Sequence, residues 1–264
     1  MIFYFSGTGN TRFIASELSE ATGERLIPIA TAVLDGKYDY ELAAGERIGF
    51  CFPIHGWRPP FIVRDFVKRL KLKGYQGNYC YGFATCGDDV GLAFDYLRDD
   101  LLSPGITLDS AFSVIMPETY NFPVIDQIDT PENARRKIAD AKDRLSRLLP
   151  AVVECRRGVT DVNESRWPRI NSRLLGSFFV KHWVTDAKFT VDAEACLRCG
   201  KCRQVCPVGN IEYPEGKLPR WRHNGLCTTC FACYHHCPAH AIDFAGRTRG
   251  KRQYYFDKNL TSEN

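Results

Sequence analysis

The sequence predicts an α/β fold in which a doubly wound parallel sheet of five strands is followed by a small cysteine-rich domain. In the first half of the chain, short apolar runs alternate with segments of helical periodicity, which is typical of a parallel sheet covered by helices on both faces. In the last third, eight of the twelve cysteines lie between Cys196 and Cys237. The 264 residues suffice for a medium and a small domain.

The predicted strands are the short apolar runs of the first half, at residues 2–5, 26–29, 48–52, 79–84 and 112–116. Helices are predicted between and after them, at residues 11–21, 61–70, 91–102 and 131–149. The last helix opens at Thr130, which can cap it, followed by Pro131 in the first turn. We therefore expect the first domain to span residues 1–150.

Residues 151–187 break this alternation and are predicted to form a packed connector. The segment contains Trp167, Trp183 and the adjacent pair Phe178 and Phe179, which a free linker would not need. A terminal helix of the first domain alone is the alternative. The cysteine-rich domain is expected at residues 188–246, and a C-terminal tail at residues 247–264.

The clustered cysteines form a tandem repeat in which Cys227 follows Cys196 by 31 residues. Each unit reads C-x2-C-x2-C-x3-C-P, with an isoleucine (Ile211, Ile242) four residues beyond the proline. Three thiolates at this spacing can hold three corners of one [4Fe–4S] cluster, while the fourth cysteine binds the other cluster. The predicted ligand sets are Cys196, Cys199, Cys202 and Cys237 for the first cluster, and Cys206, Cys227, Cys230 and Cys233 for the second.

Zinc and disulfides are the alternatives for these cysteines. Zinc has no use for a third and fourth cysteine at these offsets, and disulfides require an oxidising compartment. The N-terminus has no basic segment followed by a long apolar run and a cleavage site, so we expect a cytoplasmic protein. Gly200 is expected to let the loop backbone approach the cluster, and the two isoleucines are expected to shield the clusters from water.

A glycine-rich turn connects the first predicted strand to the first helix, and its residues are Ser6, Gly7, Thr8, Gly9, Asn10 and Thr11. Backbone N–H groups and hydroxyls at the start of a helix favour an anion. The turn is not G-x-G-x-x-G, and it lacks the lysine of a nucleoside triphosphate loop. Its expected ligand is therefore a single phosphate monoester held by neutral donors.

This turn resembles the phosphate loop of flavodoxins, and the resemblance covers roughly residues 1–150. It implies the strand order 2-1-3-4-5 and FMN as cofactor, with the phosphate among the six residues of the turn. The flavin ring would lie against the ends of strands three and four, at Pro53, Ile54, His55, Gly56 and Trp57, and at Thr85, Cys86, Gly87 and Asp88. Trp57 is expected either to stack on the ring or to be a surface aromatic residue. His55 is either a proton donor or an ordinary loop histidine.

The cysteine repeat resembles the bacterial two-cluster ferredoxins, which implies a small α+β domain with two [4Fe–4S] clusters. The stretch 212–224 between the two units departs from that pattern and is expected to form an enlarged loop. The whole chain looks like the fused flavodoxin–ferredoxin proteins of anaerobic bacteria and archaea. This resemblance implies electron transfer between the clusters and FMN, coupling one-electron carriers to a flavin-dependent reduction. The alternative is a non-catalytic carrier or reductive activator of a separate enzyme.

The composition is that of an ordinary globular protein, with 44% hydrophobic and 25% charged residues. Twelve Lys and Arg side chains lie between residues 135 and 181, although the net charge is only +4. They are expected to form a solvated helix face, or a docking surface for an acidic redox partner. No apolar run suggests a membrane span, and no motif suggests nucleic-acid binding. The expected partners are therefore a redox protein or a small-molecule electron acceptor.

Overall fold

The computed structural model describes residues 1–121, 128–214 and 216–257. The first part of the chain forms a parallel sheet whose strands are β1 (Ile2–Tyr4), β2 (Leu26–Pro28), β4 (Ile48–Pro53), β6 (Cys80–Cys86), β7 (Ser110–Ile115) and β8 (Thr160–Asp161). Their spatial order is β2-β1-β4-β6-β7-β8, and every neighbouring pair is parallel. The predicted order 2-1-3-4-5 is confirmed, and the sheet has a sixth strand.

Helices cover both faces of this sheet, so its central strands are buried throughout. The helices of the first part are α1 (Asn10–Thr22), α2 (Ile29–Leu34), α3 (Phe61–Arg69), α4 (Ala93–Leu101) and α5 (Pro131–Val153). One face packs against Ile14 of α1 and Leu145 of α5. The other packs against Phe66 of α3 and Phe94 of α4. The two apolar layers orient the loops at the carboxyl ends of the strands.

Four short elements of the first part were not predicted. They are α2, the edge strand β8, and a small parallel pair formed by β3 (Asp39–Glu41) and β5 (Lys71–Lys73). The edge strand carries two exposed polar residues, and β3 and β5 are rich in exposed charges. Such strands have no apolar pattern because they lie at an edge of the fold.

Helix α5 continues past the predicted end at residue 149 and contains Pro150. Its start agrees with the prediction, since the Thr130 hydroxyl accepts a hydrogen bond from the Asn133 backbone at 3.3 Å. Ala151 and Val152 are buried against the sheet, and their packing holds the last turn in place.

The connector forms a continuous helical segment with a π-helical stretch at Ile170–Leu175 followed by α6 (Gly176–Trp183). One side of it packs on the first domain. The Ser172 hydroxyl accepts a hydrogen bond from the Leu92 backbone at 2.8 Å and donates one to the Trp57 carbonyl at 3.2 Å. Gly176 lies so close to the Gly56 carbonyl that any side chain there would overlap it.

The cysteine-rich part is a small α+β unit. Its elements are β9 (Phe189–Val191), α7 (Lys201–Val205), β10 (Ile211–Glu212), β11 (Arg220–Trp221), α8 (Ala232–His235) and β12 (Ile242–Phe244). Strand β9 pairs antiparallel with β12, and β10 with β11. The 31-residue period recurs in the backbone, because the residue before each helix is left-handed: Gly200 with φ 71° and Phe231 with φ 58°. The two units therefore have matching conformations. Within the predicted enlarged loop, Glu215 lies outside the described residues.

The tail returns from the second domain to the first, although residues 258–264 of the predicted tail lie outside the described residues. The Phe256 backbone donates a hydrogen bond to the Thr8 carbonyl at 2.8 Å. Its ring stacks on Phe13 with centroids 4.6 Å apart. The Tyr254 hydroxyl donates to the side-chain oxygen of Asn10 at 3.0 Å. The tail thus crosses the outer side of the glycine-rich turn.

Candidate functional site

A cavity of about 500 Å³ lies at the carboxyl ends of β1, β4 and β6. It is closed by the connector on one side and by the start of the second cysteine unit on another. All of the residues predicted to surround a flavin line this cavity, with the exception of Gly9. Pockets of this volume are typical of small-molecule sites.

The glycine-rich turn brings polar groups to one end of the cavity. Gly9 has a φ of 102°, and its N–H donates to the Ser6 hydroxyl oxygen at 3.1 Å. The first N–H groups of α1 have no acceptor within the helix, because the helical ladder begins with the bond from Phe13 to the Gly9 carbonyl. These N–H groups, with the hydroxyls of Ser6 and Thr8, are neutral hydrogen-bond donors of the kind that an anion can accept from.

The side chains of Asn10 and Thr11 already have protein partners. The Asn10 amide donates to the Pro117 carbonyl at 2.9 Å, and its oxygen accepts from Tyr254. The Thr11 and Thr85 hydroxyls are 2.7 Å apart. These two residues therefore brace the turn through their side chains and can offer a ligand their backbone N–H groups.

The loop after β4 contributes His55 and Trp57 to the cavity wall. Burial lowers the pKa of His55 to about 4, although a hydrogen bond with the Thr228 backbone acts in the opposite direction. The imidazole is therefore neutral at physiological pH. Trp57 has a φ of 59°, and its Cβ would lie 2.6 Å from a side chain at Gly91, so Gly91 keeps room for this indole.

Glu118 is a cavity residue that the sequence did not indicate. Its carboxylate accepts hydrogen bonds from the backbones of Thr119 at 3.2 Å and Tyr120 at 3.0 Å, and burial raises its pKa. The carboxylate lies directly against Gly87, where any side chain would overlap it. Glu118 follows β7 by a few residues, and no motif surrounds it. The topology alone brings it beside the loop after β6.

Aromatic side chains of the connector close the cavity, and these too were missed as site residues. Phe179 and Trp183 line it. The Tyr120 ring meets Phe179 edge-on at 5.0 Å and Phe231 edge-on at 5.3 Å. Tyr120 thus connects the cavity to the core of the cysteine-rich domain. The aromatic residues of the connector were the signal that could have indicated this packing.

The predicted ligands of the first cluster lie together. Cys196, Cys199, Cys202 and Cys237 line one small pocket in the cysteine-rich domain. Burial, together with the neighbouring thiols of Cys237, Cys196 and Cys199, raises the pKa of Cys202 to about 11.

The predicted ligands of the second cluster also lie together, and they are more deeply buried. Burial raises the pKa of Cys227 to about 12, and the nearby thiols of Cys230 and Cys206 add to the effect. Burial likewise places the pKa of Cys233 well above its ordinary value, with contributions from the same neighbours. Thiols with raised pKa values bind metals only after losing their protons, so metal loading releases protons.

Backbone donors and apolar side chains surround both sets. The Asn210 N–H donates to the Cys206 sulfur at 3.3 Å, and the Ala241 N–H donates to the Cys237 sulfur at 3.3 Å. Hydrogen bonds to ligand sulfurs are a means of tuning reduction potential. Ile211 and Ile242 are buried, as predicted for shielding residues. Gly200 is left-handed, as expected for a loop that turns closely around its ligand.

All twelve cysteines fall within the described ranges, and each is a free thiol. In residues 1–121, 128–214 and 216–257, no group of three or more His, Cys, Asp or Glu side chains could hold a metal ion, so the cysteines of each set are neighbours without forming a closed metal site. Within the same ranges, no helix has the length and apolarity required to cross a membrane.

The two sites meet at Cys230. This predicted cluster ligand lines the cavity of the first domain. A Cβ added at Gly7 of the glycine-rich turn would lie 2.5 Å from the Cys230 Cβ and 2.9 Å from its sulfur. The turn and the second cysteine unit are therefore in direct contact, and Gly7 permits that contact because it has no side chain.

Residues 188–238 match the family model of a 4Fe-4S dicluster domain. A ferredoxin of Pyrobaculum islandicum is 31% identical over 83 residues, which cover 29% of this chain and 75% of that protein. An uncharacterized ferredoxin of Methanocaldococcus jannaschii is 33% identical over 54 residues, which cover 20% of this chain and 70% of that protein. The chain belongs to the ferredoxin family. It is an iron–sulfur protein of the [4Fe–4S] dicluster type, and it functions in electron transfer.

The chain is also similar to two solved structures. The Trp repressor binding protein of Bacillus subtilis is 11% identical, covers 60% of the chain and 99% of its own, and gives a TM-score of 0.33. An azoreductase of Bacillus anthracis is 12% identical, covers 58% of the chain and 100% of its own, and gives a TM-score of 0.34. The flavodoxin-like assignment itself rests on the strand order of the parallel sheet.

We expect the free energy of unfolding of this protein to depend less on pH in a His55→Gln variant than in the wild type. The pKa of His55 is about 4 in the folded chain, so the unfolded chain binds a proton that the folded chain does not between about pH 6.5 and pH 4. Stability from this residue is present above pH 6.5 and is lost as the pH falls. Between pH 7.5 and 5.5 the loss is at most about 1.3 kcal/mol. Denaturant unfolding of both proteins at the two pH values measures it, and an identical pH dependence would contradict the expectation.

Proposed function

We propose that the protein transfers electrons between two [4Fe–4S] clusters and FMN, and thereby couples one-electron carriers to a flavin-dependent reduction. The observation that carries the proposal is the double position of Cys230. It belongs to a predicted cluster ligand set, and it also lines the cavity that the glycine-rich turn closes. A shared wall of this kind brings two redox groups close without an intervening protein layer.

The cavity has the features that FMN requires. The turn offers a phosphate only neutral donors, namely the hydroxyls of Ser6 and Thr8 and the backbone N–H groups at the start of α1. The opposite end is lined by flat and apolar groups, among them Trp57 and Phe179, which suit an aromatic ring system. Thr228 lines the same cavity, and the thiol of Cys230 is the only partner of its buried hydroxyl among the described residues. A bound ligand would give this hydroxyl a second partner.

FMN supplies one- and two-electron chemistry, and the clusters supply one-electron chemistry. The chain's own residues bind and orient these groups. In this proposal the backbones of Cys86, Gly87 and Asp88 contact the polar edge of the flavin ring. Neutral His55 and the carboxyl group of Glu118 line the same cavity and can hold or accept a proton there.

Each cluster is proposed to take ligands from both cysteine units. Cys237 completes the set of Cys196, Cys199 and Cys202, and Cys206 completes the set of Cys227, Cys230 and Cys233. The clustering of each set and the two N–H···S contacts support this arrangement. We further propose a cytoplasmic and anaerobic setting, since thiolate ligands of such clusters must stay reduced. Free thiols throughout the chain support it.

Anaerobic purification with cofactor analysis tests the proposal. We expect about eight irons per chain, from two clusters of four, and about one FMN per chain. The visible spectrum should show flavin bands above broad iron–sulfur absorption, and acid release of the flavin should yield FMN. Two zinc ions with no iron would contradict the cluster assignment. Eight irons with no binding of added FMN would contradict the flavin assignment alone.

A second candidate is a non-catalytic carrier or reductive activator that docks to a separate enzyme. The exposed apolar side of the connector helix favours it, because Leu174 and Phe178 are 67% and 60% exposed. Turnover of small acceptors distinguishes the two functions. An oxidoreductase reduces such acceptors catalytically with FMN bound, whereas a carrier reduces only its protein partner.

A further inference from the structure

The outer side of the connector helix carries five large apolar side chains that are about half or more exposed. We name this surface the connector face; its members are Trp167, Ile170, Leu174, Leu175 and Phe178, and their exposed fractions range from 48% to 67%. Four of them follow at intervals of three, four and four residues, which places them in one row on a helix. Contiguous apolar patches of this kind on a folded protein mark interaction sites.

The connector helix packs against the rest of the protein on the side opposite to the connector face. That side is seated on the first domain through Ser172 and Gly176, and through Phe179 in the cavity wall. The helix therefore has an inner side that packs on the first domain and an outer side whose apolar side chains are about half or more exposed. The row begins at Trp167, just before the helix, and continues through the π-helical stretch to Phe178 in α6.

A row of positive charge runs beside the apolar row. Arg166, Arg169 and Arg173 have the same helical spacing, and none forms an ion pair with a carboxylate in the described part of the chain. The guanidinium of Arg166 lies 5.7 Å from the ring of Trp167. Arginine next to exposed aromatic and aliphatic side chains is typical of protein-binding surfaces, where lysine is depleted.

The connector face borders the mouth of the cavity, because Leu175 and Phe178 belong to both. A molecule seated on it would lie against the site where FMN is proposed to bind. This position would bring an electron-transfer partner next to the proposed flavin site. A lipid surface bound there would have no comparable function.

We propose that the connector face docks an acidic redox protein whose apolar contact patch is bordered by carboxylates. The proposal rests on the proposed function and names its partner. The arginine row selects a partner of negative charge. A second copy of this chain is disfavoured, since a twofold interface would place like-charged arginine rows against each other. One helix face buries little area, which suits a transient electron-transfer complex.

Stopped-flow oxidation of a dithionite-reduced acidic two-[4Fe–4S] ferredoxin by the oxidised holoprotein tests this docking. The charge variant is R166E/R169E/R173E, and the apolar variant is I170Q/L174Q, at two members of the connector face that do not line the cavity. We expect the charge variant to lower the second-order rate at low salt at least tenfold and to flatten its salt dependence. The apolar variant should lower the rate at least fivefold with an unchanged salt dependence.

The matched control is R25E/K71E/K73E, which reverses three exposed charges near β3 and β5. It should stay within twofold of the wild-type rate. Equal losses in the control and the charge variant would overturn the proposal, and so would unchanged rates in both connector variants. It would also be overturned if the connector variants instead abolished binding to phosphatidylglycerol vesicles or self-association.

Reduced methyl viologen separates this proposal from the proposed function. It needs no docking surface, so it should reduce the wild type and all variants at similar rates. A wild type that methyl viologen cannot reduce at its flavin would contradict the proposed function and not the docking surface. Normal reduction by viologen with an undiminished ferredoxin rate in both connector variants would contradict the docking surface alone.

Discussion

Replacing Cys206 with alanine is expected to lower the iron content from about eight to about four per chain. Cys206 lies in the first cysteine unit, but it is grouped with Cys227, Cys230 and Cys233 of the second. If the ligand sets cross between units, this change removes the second cluster and leaves the first intact. Iron analysis and the visible absorbance per chain measure the effect, and Cys237→Ala should remove the first cluster in the same way.

The control for this experiment is Cys155→Ala. Cys155 is a partly buried free thiol outside both sets, so its removal should leave the iron content unchanged. Ligand sets that did not cross would give a different pattern. In that case Cys206→Ala would damage the cluster of Cys196, Cys199 and Cys202, and the signals of the second cluster would survive.

Replacing Gly7 with alanine is expected to weaken FMN binding tenfold or more while iron content stays normal. The added methyl group would lie 2.5 Å from the Cβ of Cys230, which no relaxed contact allows. Overpacking of this degree costs typically about 1–3 kcal/mol. Here it must displace either the glycine-rich turn or the second cysteine unit, and both line the cavity. Fluorescence titration of the apoflavin protein with FMN measures the loss.

Gly82→Ala is the matched overpacking control for the Gly7 variant. Its methyl group would lie 2.7 Å from the ring of Phe94, within the core of the first domain and away from the cysteine units. It should lower the free energy of unfolding without changing FMN affinity or the rate of electron transfer between the two sites. If the Gly7 variant and the wild type had similar FMN affinities and electron-transfer rates, the contact with Cys230 would have no effect on FMN binding or on electron transfer.

The sequence pattern was sufficient for the positions of the main strands and for the grouping of the cysteines, whereas the order of the strands followed from the resemblance to flavodoxins. Buried parallel strands such as β4 and β6 are continuous apolar runs, so their positions could be predicted directly. The cysteine spacing is similarly local, and its 31-residue period reappears in the left-handed residues before α7 and α8. Exposed elements at the edge of the sheet, such as β8, have no apolar pattern, because any polar residue can face the solvent there.

The features that could not be predicted all depend on contacts between distant parts of the chain. The Tyr254 hydroxyl of the tail donates to the side-chain oxygen of Asn10, whereas the sequence of the turn alone predicts Asn10 beside a phosphate. Glu118 reaches Gly87 only because β6 and β7 are neighbours. The contact between Gly7 and Cys230 joins two domains. No local periodicity encodes such pairs, since the fold itself creates them.

The rate of flavin bleaching by a one-electron donor tests the central claim most directly. Oxidised holoprotein is mixed with reduced methyl viologen under anaerobic conditions, and the wild type is compared with Cys206→Ala after both are saturated with FMN. If electrons reach the flavin site from the second cysteine unit, bleaching in the variant should be at least tenfold slower than in the wild type. Equal rates in the two proteins, with FMN bound to both, would contradict the account.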